Sequence, residues 1–300
     1  MPVFSVIVPT YNYGHFIGRA IQSVLDQTFP DFELIIVDLF SIDDTARIVR
    51  GFADPRIRFY QARVGAGFIA ALRNAGIQRA AGEYIAFLDA DDLWFPEKLA
   101  AVERFFSADP RRDLVCHDEE WVYADGRKER IAYGPQQTFA QLLFQGNSLS
   151  TSAVTVRRET LFGSGLFSEK PEYTGVEDYE LWLRVARQAK IDFLHMSLGQ
   201  CVVHAGSISR RVEQMAQNTA CVIRDQYALL PDTVGNRLRL RIRQAEILRQ
   251  AARDLLKINE NRSAAQAAWR AWQLNPVGLK IGYTLLRSGW RQIKMQRNLF

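Results

Sequence analysis

The sequence is poor in cysteine: Cys116, Cys201 and Cys221 are odd in number and widely spaced. That excludes a disulfide framework or a cysteine zinc cluster and points to a reducing interior. Long apolar runs are missing too, and no segment has the roughly 20 uninterrupted apolar residues that span a bilayer. The opening residues lack the basic flank, long apolar core and small-residue cleavage site of a signal peptide, so the expected location is cytoplasmic. A strong net charge is also missing. The formal value is +5, much of it after Pro276, which excludes a nucleic-acid-binding face over the whole protein. Disorder is excluded as well, because 48% of the 300 residues are hydrophobic, enough for one large α/β domain with an appendage.

What is present is a succession of periods. Residues 3–8 are apolar apart from Ser5, the pattern of a strand covered on both faces. Ile17, Ala20, Ile21, Val24 and Leu25 then recur at helical spacing, closed by Pro30 and Asp31. Strands are predicted at 32–37, 57–60 and 84–88, and helices at 43–52 and 70–80. Such a succession predicts right-handed βαβ units and a mostly parallel sheet flanked by helices. Ligands of these sheets sit beyond the carboxyl ends of the strands, so the loops after Val8, Val37 and Leu88 are the candidate site. Further helices are expected at 100–106 and 176–188, and strands within 113–123 and at 152–159. From Val212 strands disappear and Arg-rich helical sequence takes over. This divides the chain into an α/β domain, 1–211, and a helical C-terminal region, 212–300, in which Trp269 and Trp272 read as packing residues of a cap on the α/β domain. Residues 277–300 carry five basic side chains and no acid, interleaved with apolar ones, and read as a peripheral contact with an anionic membrane surface.

The stretch IAFLDADDLWFPEKL, residues 85–99, runs a buried strand into Asp89, Asp91 and Asp92. Carboxylates crowded at a strand end repel, and a divalent cation with oxygen ligands relieves the repulsion. Asp-x-Asp spacing puts Asp89 and Asp91 on one side of an extended backbone. A hard cation held by one or two carboxylates keeps positions for phosphate oxygens, so the cluster reads as a seat for a metal-bound diphosphate. Glu177 and Asp178, in VEDYELW, supply further carboxylates. A hydroxyl nucleophile needs a positioned base, a role open to Asp178; the alternative is first-turn acids complementing a helix dipole.

In order, FSVIVPTYN, FELIIVD, LRNAGIQRAAGEYIAFLDADD, PEKL, EDYELWLRVA and VVHAGSIS resemble a family 2 glycosyltransferase of the GT-A fold over residues 3–210. The resemblance implies inverting transfer of a sugar from a nucleotide-diphosphate sugar to a hydroxyl of a polysaccharide, lipid-linked or protein glycan, with magnesium or manganese. It implies that Pro9, Thr10 and Tyr11 begin the nucleotide pocket, that Asp38 lies beside base or ribose, and that Arg73 and Asp89 approach the diphosphate. Asp89, Asp91 and His204 become the metal candidates, and Asp178 and Glu177 the catalytic candidates, with Asp178 as the base.

One departure stands out. Where the family reads Asp-Asp-Gly-Ser, this chain reads Asp38-Leu39-Phe40-Ser41. Leu39 offers no acceptor to a base and Phe40 resists a positive φ. Two other classes follow from such signals: an inactive sugar-nucleotide-binding scaffold, and an NAD-dependent oxidoreductase suggested by GAGFIA, residues 65–70.

Overall fold

A computed structural model describes residues 2–63, 68–204 and 211–297, with side chains omitted at 68 and 289–297. The chain divides into two units, Met1–Leu142 with Gly146–Ser207, and Leu143–Gln145 with Ile208–Phe300.

The first unit begins with the expected alternation: β1 (Phe4–Thr10), α1 (Gly14–Leu25), β2 (Phe32–Asp38), α2 (Thr45–Arg50), β3 (Ile57–Gln61), α3 (Phe68–Ile77) and β4 (Tyr84–Phe87). Strands β3, β2, β1 and β4 lie side by side and parallel, with Phe4 opposite Phe32 and Tyr84. Strands β1, β2 and β4 are buried throughout, whereas the edge strand β3 is only partly buried; on one face Phe4, Val6, Val8, Leu34 and Ile36 pack with Ile17, Ile21 and Val24 of α1. At about 1.5–3 kcal/mol per buried aliphatic or aromatic side chain, this cluster is the main stabiliser of the half-sheet.

The second half of the sheet is mixed. It contains β5 (Leu93–Trp94), α4 (Lys98–Ala108), β6 (Leu114–Tyr123), β7 (Lys128–Ile131), α5 (Phe139–Gln145), β8 (Val154–Arg157), α6 (Arg158–Ser164), α7 (Glu177–Val185) and β9 (Ile191–Val203). The order continues from β4 through β8, β6 and β9 to β5, with β7 paired to β6. Only β6 and β9 pair parallel here, and their register shifts around Asp118. The strand expected at 152–159 is shorter, because Arg157 breaks directly into α6. Gly199 lets β9 reach β5, since a Cβ there would stand 2.8 Å from the Leu93 carbonyl oxygen.

The second unit is helical: α8 (Val212–Ala228), α9 (Val234–Lys257), α10 (Asn261–Leu274) and α11 (Leu279–Arg297). Alanines permit close approach, with Ala245 and Ala271 packed with Ile281, and Ala264 with Leu255 and Leu256. Trp272 joins the first of these clusters, and Trp269, half exposed, stacks on Trp272 at 5.1 Å. Side chains from Gly289 onward, and so the later part of the basic tail, lie outside the described residues. No described helix is long and apolar enough to cross a membrane.

Candidate active site

The loops after β1 and β2 meet at one end of the parallel strands. β1 closes with Pro9 and Thr10, whose buried hydroxyl has no hydrogen-bond partner among the described residues, and leads to the partly exposed Tyr11. Four hydrogen bonds to side chains lace the loops together. Asn12 N–H donates to Ser41 Oγ (2.7 Å), Ile42 N–H to Asn12 Oδ1 (2.9 Å), Tyr13 N–H to Thr45 Oγ1 (3.0 Å) and Gly14 N–H to Asp43 Oδ2 (2.9 Å). Asp38 is fully buried, and its carboxylate accepts from the Ser41 amide and hydroxyl and from Gln61 Nε2 (3.0 Å). It holds the turn from inside. Phe40 takes φ 52°, a conformation that costs an L residue about 1 kcal/mol or more. The turn that favours glycine therefore forms with an exposed phenylalanine, over whose ring the Arg63 guanidinium lies 5.1 Å from the centre.

After β4 the chain turns at once, Asp92 N–H donating to the Asp89 carbonyl oxygen (3.1 Å). Asp89 and Asp91 are thus presented by a turn, not by the extended backbone that their spacing suggested. The reason is Asp92, whose buried carboxylate is drawn into the protein by the Ser152 hydroxyl (2.6 Å) and the Val202 amide (2.9 Å). Burial and then the charge of Asp91 push the Asp92 carboxyl well above the usual carboxylate range.

Arg73, on α3, is buried between two acids: Nη2 meets Asp89 Oδ1 at 2.7 Å and Nη1 meets Glu177 Oε1 at 2.8 Å. Burial alone would lower its pKa, but the charges of Asp89 and Glu177 prevail and raise it. The other oxygen of Glu177 accepts from the Gly175 amide (2.6 Å), so this acid is committed to holding Arg73 and the entry to α7. Asp91 pairs with His204, just past β9, at 2.9 Å from Oδ2 to Nε2, and the imidazole stacks on Phe16. Burial and then the charge of Asp89 raise the Asp91 carboxyl. Residues 205–210, the rest of that motif, and 64–67, which overlap the dinucleotide-like stretch, lie outside the described residues.

Asp178, the second residue of α7, accepts from Thr151 Oγ1 (3.1 Å) and the Tyr179 amide (2.7 Å). Burial first, and the charge of Glu177 second, push its carboxyl up to about 6. Asp178 and Asp89 line one cavity of roughly 430 Å³ with Asp92, Trp121, Tyr133 and Thr151. The structure therefore brings Asp178, Asp89 and Arg73 into one connected group, and Asp91 with His204 onto the adjoining turn. Among the described residues no three His, Cys, Asp or Glu side chains form a ready-made metal cage.

Sequence reasoning missed the layer beneath. Buried Glu119, pushed up to about 7 chiefly by burial, accepts from the Tyr133 hydroxyl (2.7 Å), which in turn accepts from the Trp121 indole (3.2 Å). Lys98 is fully buried, its Nζ 2.9 Å from Thr155 Oγ1 and 3.5 Å from the centre of the Trp94 ring. The signal available was the run of acids within an apolar strand, 118–120, which composition alone reads as solvated.

A family model described as glycosyl transferase family 2 matches residues 5–159. The chain belongs to this family. An Escherichia coli protein described as a UDP-Glc:alpha-D-GlcNAc-diphosphoundecaprenol beta-1,3-glucosyltransferase is 42% identical over 234 residues, covering 78% of this chain and 87% of that protein. Matches to two Rickettsia proteins described as uncharacterized glycosyltransferases span 64% and 65% of their lengths. Among solved structures, S. aureus TarS in complex with UDP has a TM-score of 0.64 at 21% identity, covering 97% of this chain and 87% of that one. A mannosyltransferase from Pyrobaculum calidifontis in complex with GDP-Man and Mn2+ has a TM-score of 0.60 at 19% identity, covering 100% and 87%. Both likenesses agree with the α/β fold of this family 2 chain.

Proposed function

We propose that this chain is an inverting glycosyltransferase that moves a sugar from a nucleotide-diphosphate sugar to a hydroxyl of a lipid-linked or polysaccharide acceptor. The observation that carries the reading is the convergence of Asp178 and Asp89 on one cavity, beside the turn that holds Asp91 and His204. Asp89 is already ion-paired with Arg73, whereas the hydrogen bonds to Asp178 come from neutral donors and leave it basic. With its carboxyl near 6, Asp178 is ionised at neutral pH and still able to accept a proton from an attacking hydroxyl. One such base suffices for a single displacement, which inverts the anomeric carbon. The acceptor occupies the cavity walled by Trp121, Tyr133 and Thr151. The nucleotide lies over the laced loops, with Tyr11 and Phe40 offering ring faces and Thr10 a buried hydroxyl. Glu177 positions Arg73.

The turn also fits a divalent cation. Asp91 is crowded by the charge of Asp89, which a cation relieves, and the donor set of carboxylate and imidazole leaves positions for phosphate oxygens. Magnesium or manganese held by Asp91, with Asp89 and His204 beside it, supplies charge stabilisation to a departing diphosphate. The named acceptor of the E. coli relative is lipid-linked, which supports a place at the cytoplasmic membrane face, with residues 277–300 contacting anionic lipid.

The test is nucleotide release from UDP-glucose, UDP-N-acetylglucosamine and GDP-mannose, with diphosphate-lipid acceptors, with and without manganese. Manganese-dependent release with one donor is expected. Donor binding without release under every condition would instead favour an inactive scaffold.

A further inference from the structure

Helix α9 has two unlike halves. Its buried positions begin at Arg243 and continue through Ala245, Ile247, Arg249 and Ala251 to Leu256, so its second half packs within the helical unit. Three large apolar side chains of the first half do not. Val234, Leu238 and Ile242 are 74%, 55% and 44% exposed, and their spacing of four puts them on one face. Helix α11 repeats the pattern: Leu279, Tyr283 and Leu286 are 90%, 67% and 75% exposed, while Ile281, Thr284 and Ser288 are buried. The Arg241 guanidinium donates to the carbonyl oxygens of Leu274 (2.7 Å) and Gln273 (3.1 Å) at the end of α10, five residues before α11 begins. The Ile242 end of one stripe is thereby held at the end of the helical unit from which the other starts.

Charge narrows the occupant. From Val234 to Ile242 there are three arginines and no acid, and α11 adds Lys280 and Arg287. Arg237, Arg239 and Arg241 are exposed, each with one partner on the protein: Arg237 pairs with Asp232 before the helix at 3.2 Å, Arg239 lies over the Phe144 ring at 5.1 Å, and Arg241 bonds the end of α10. A second copy of the chain laid on this face would bring arginine against arginine. An anionic bilayer meets both features, taking aliphatic side chains below its headgroups and guanidinium groups among its phosphates.

We propose that the exposed first half of α9, together with the start of α11, is a docking surface for an anionic lipid bilayer. It rests on the membrane reading of residues 277–300 only for α11; the α9 stripe is a separate element with its own exposed apolar face. Apolar side chains provide the insertion and the arginines make it selective for negative headgroups.

The experiment is co-sedimentation of the full chain with vesicles of equal parts phosphatidylglycerol and phosphatidylcholine, against pure phosphatidylcholine. The wild type is expected to bind the first and not the second, and to be released by salt. The combined variant Val234→Ser, Leu238→Ser, Ile242→Ser is expected to lose roughly tenfold or more in partitioning, with an unchanged far-ultraviolet circular dichroism spectrum. The single variant Leu238→Asp, at an exposed position, reads the same surface if the combined variant does not fold. Undiminished vesicle binding by the α9 variants overturns the proposal, as does equal binding to neutral vesicles. A wild type that is dimeric by light scattering, with a monomeric Leu238→Asp variant, also overturns it, assigning the stripe to a second copy. Because no sugar transfer is measured, a failure here is separate from a failure of the proposed activity.

Discussion

The two units dispose of charge in opposite ways. Up to residue 210 the chain has 22 Lys and Arg against 27 Asp and Glu; after it, 16 against six. In the α/β unit the informative acids are buried or half-buried and bonded: Asp92 to Ser152, Glu119 to Tyr133, Glu177 to Arg73. In the helical unit, basic and large apolar side chains stand exposed together. Buried charge is costly unless neighbours fix its position, so its presence marks where chemistry is prepared. Exposed charge beside exposed apolar surface costs little and marks where another surface is met.

The sharpest way to break this contrast is at Asp178. Asp178→Asn is expected to lower turnover by roughly two to four orders of magnitude with donor affinity nearly unchanged, as read by single-turnover kinetics beside donor titration. In the wild type, turnover should fall about tenfold per pH unit below about 6, where Asp178 takes up its proton. Equal loss of donor affinity would mean that Asp178 belongs to donor binding instead.

Next is the ion-paired arginine. Arg73→Met leaves Glu177 uncompensated in the interior and should cost about 3 kcal/mol in urea unfolding, most of it through Glu177, since Asp89 is partly open to solvent.

A smaller effect is expected at Glu119. Its folded-state pKa is raised from the ordinary 4.5 to about 7, so its stabilising contribution is complete below pH 4.5 and lost as pH rises through 7. Glu119→Gln should flatten that loss, raising the melting temperature by a few degrees at pH 8 and leaving it nearly unchanged at pH 4.5. The smallest effect belongs to the helical surface. Leu238→Ser should change stability by no more than about 0.5 kcal/mol and leave turnover on a soluble acceptor intact.

The parallel half-sheet was legible because β1, β2 and β4 are buried on both faces and the helices keep one apolar stripe, so each period is clean. Strand β9 was not: IDFLHMSLGQCVV mixes buried and exposed positions where its register with β6 shifts. Asp89, Asp91, Asp178 and His204 could be named from motifs, yet their partners could not. Ser152 lies 60 residues from Asp92, and Glu177 lies 104 from Arg73, distances over which a linear pattern holds no pairing information. The two faces of α9 were hidden for another reason, because Arg-rich helical sequence looks alike whether its apolar side chains are packed or bare.

The lacing of the loops after β1 and β2 separates backbone shape from side-chain identity. Asn12, Ser41, Asp43 and Thr45 hold the turn from its flanks and Asp38 holds it from below, so Leu39 and Phe40 bear none of these side-chain bonds. Evolution can therefore rewrite position 39, and position 40 among residues that tolerate a positive φ, without redrawing the loop. A two-position library there would explore nucleotide preference on a fixed frame.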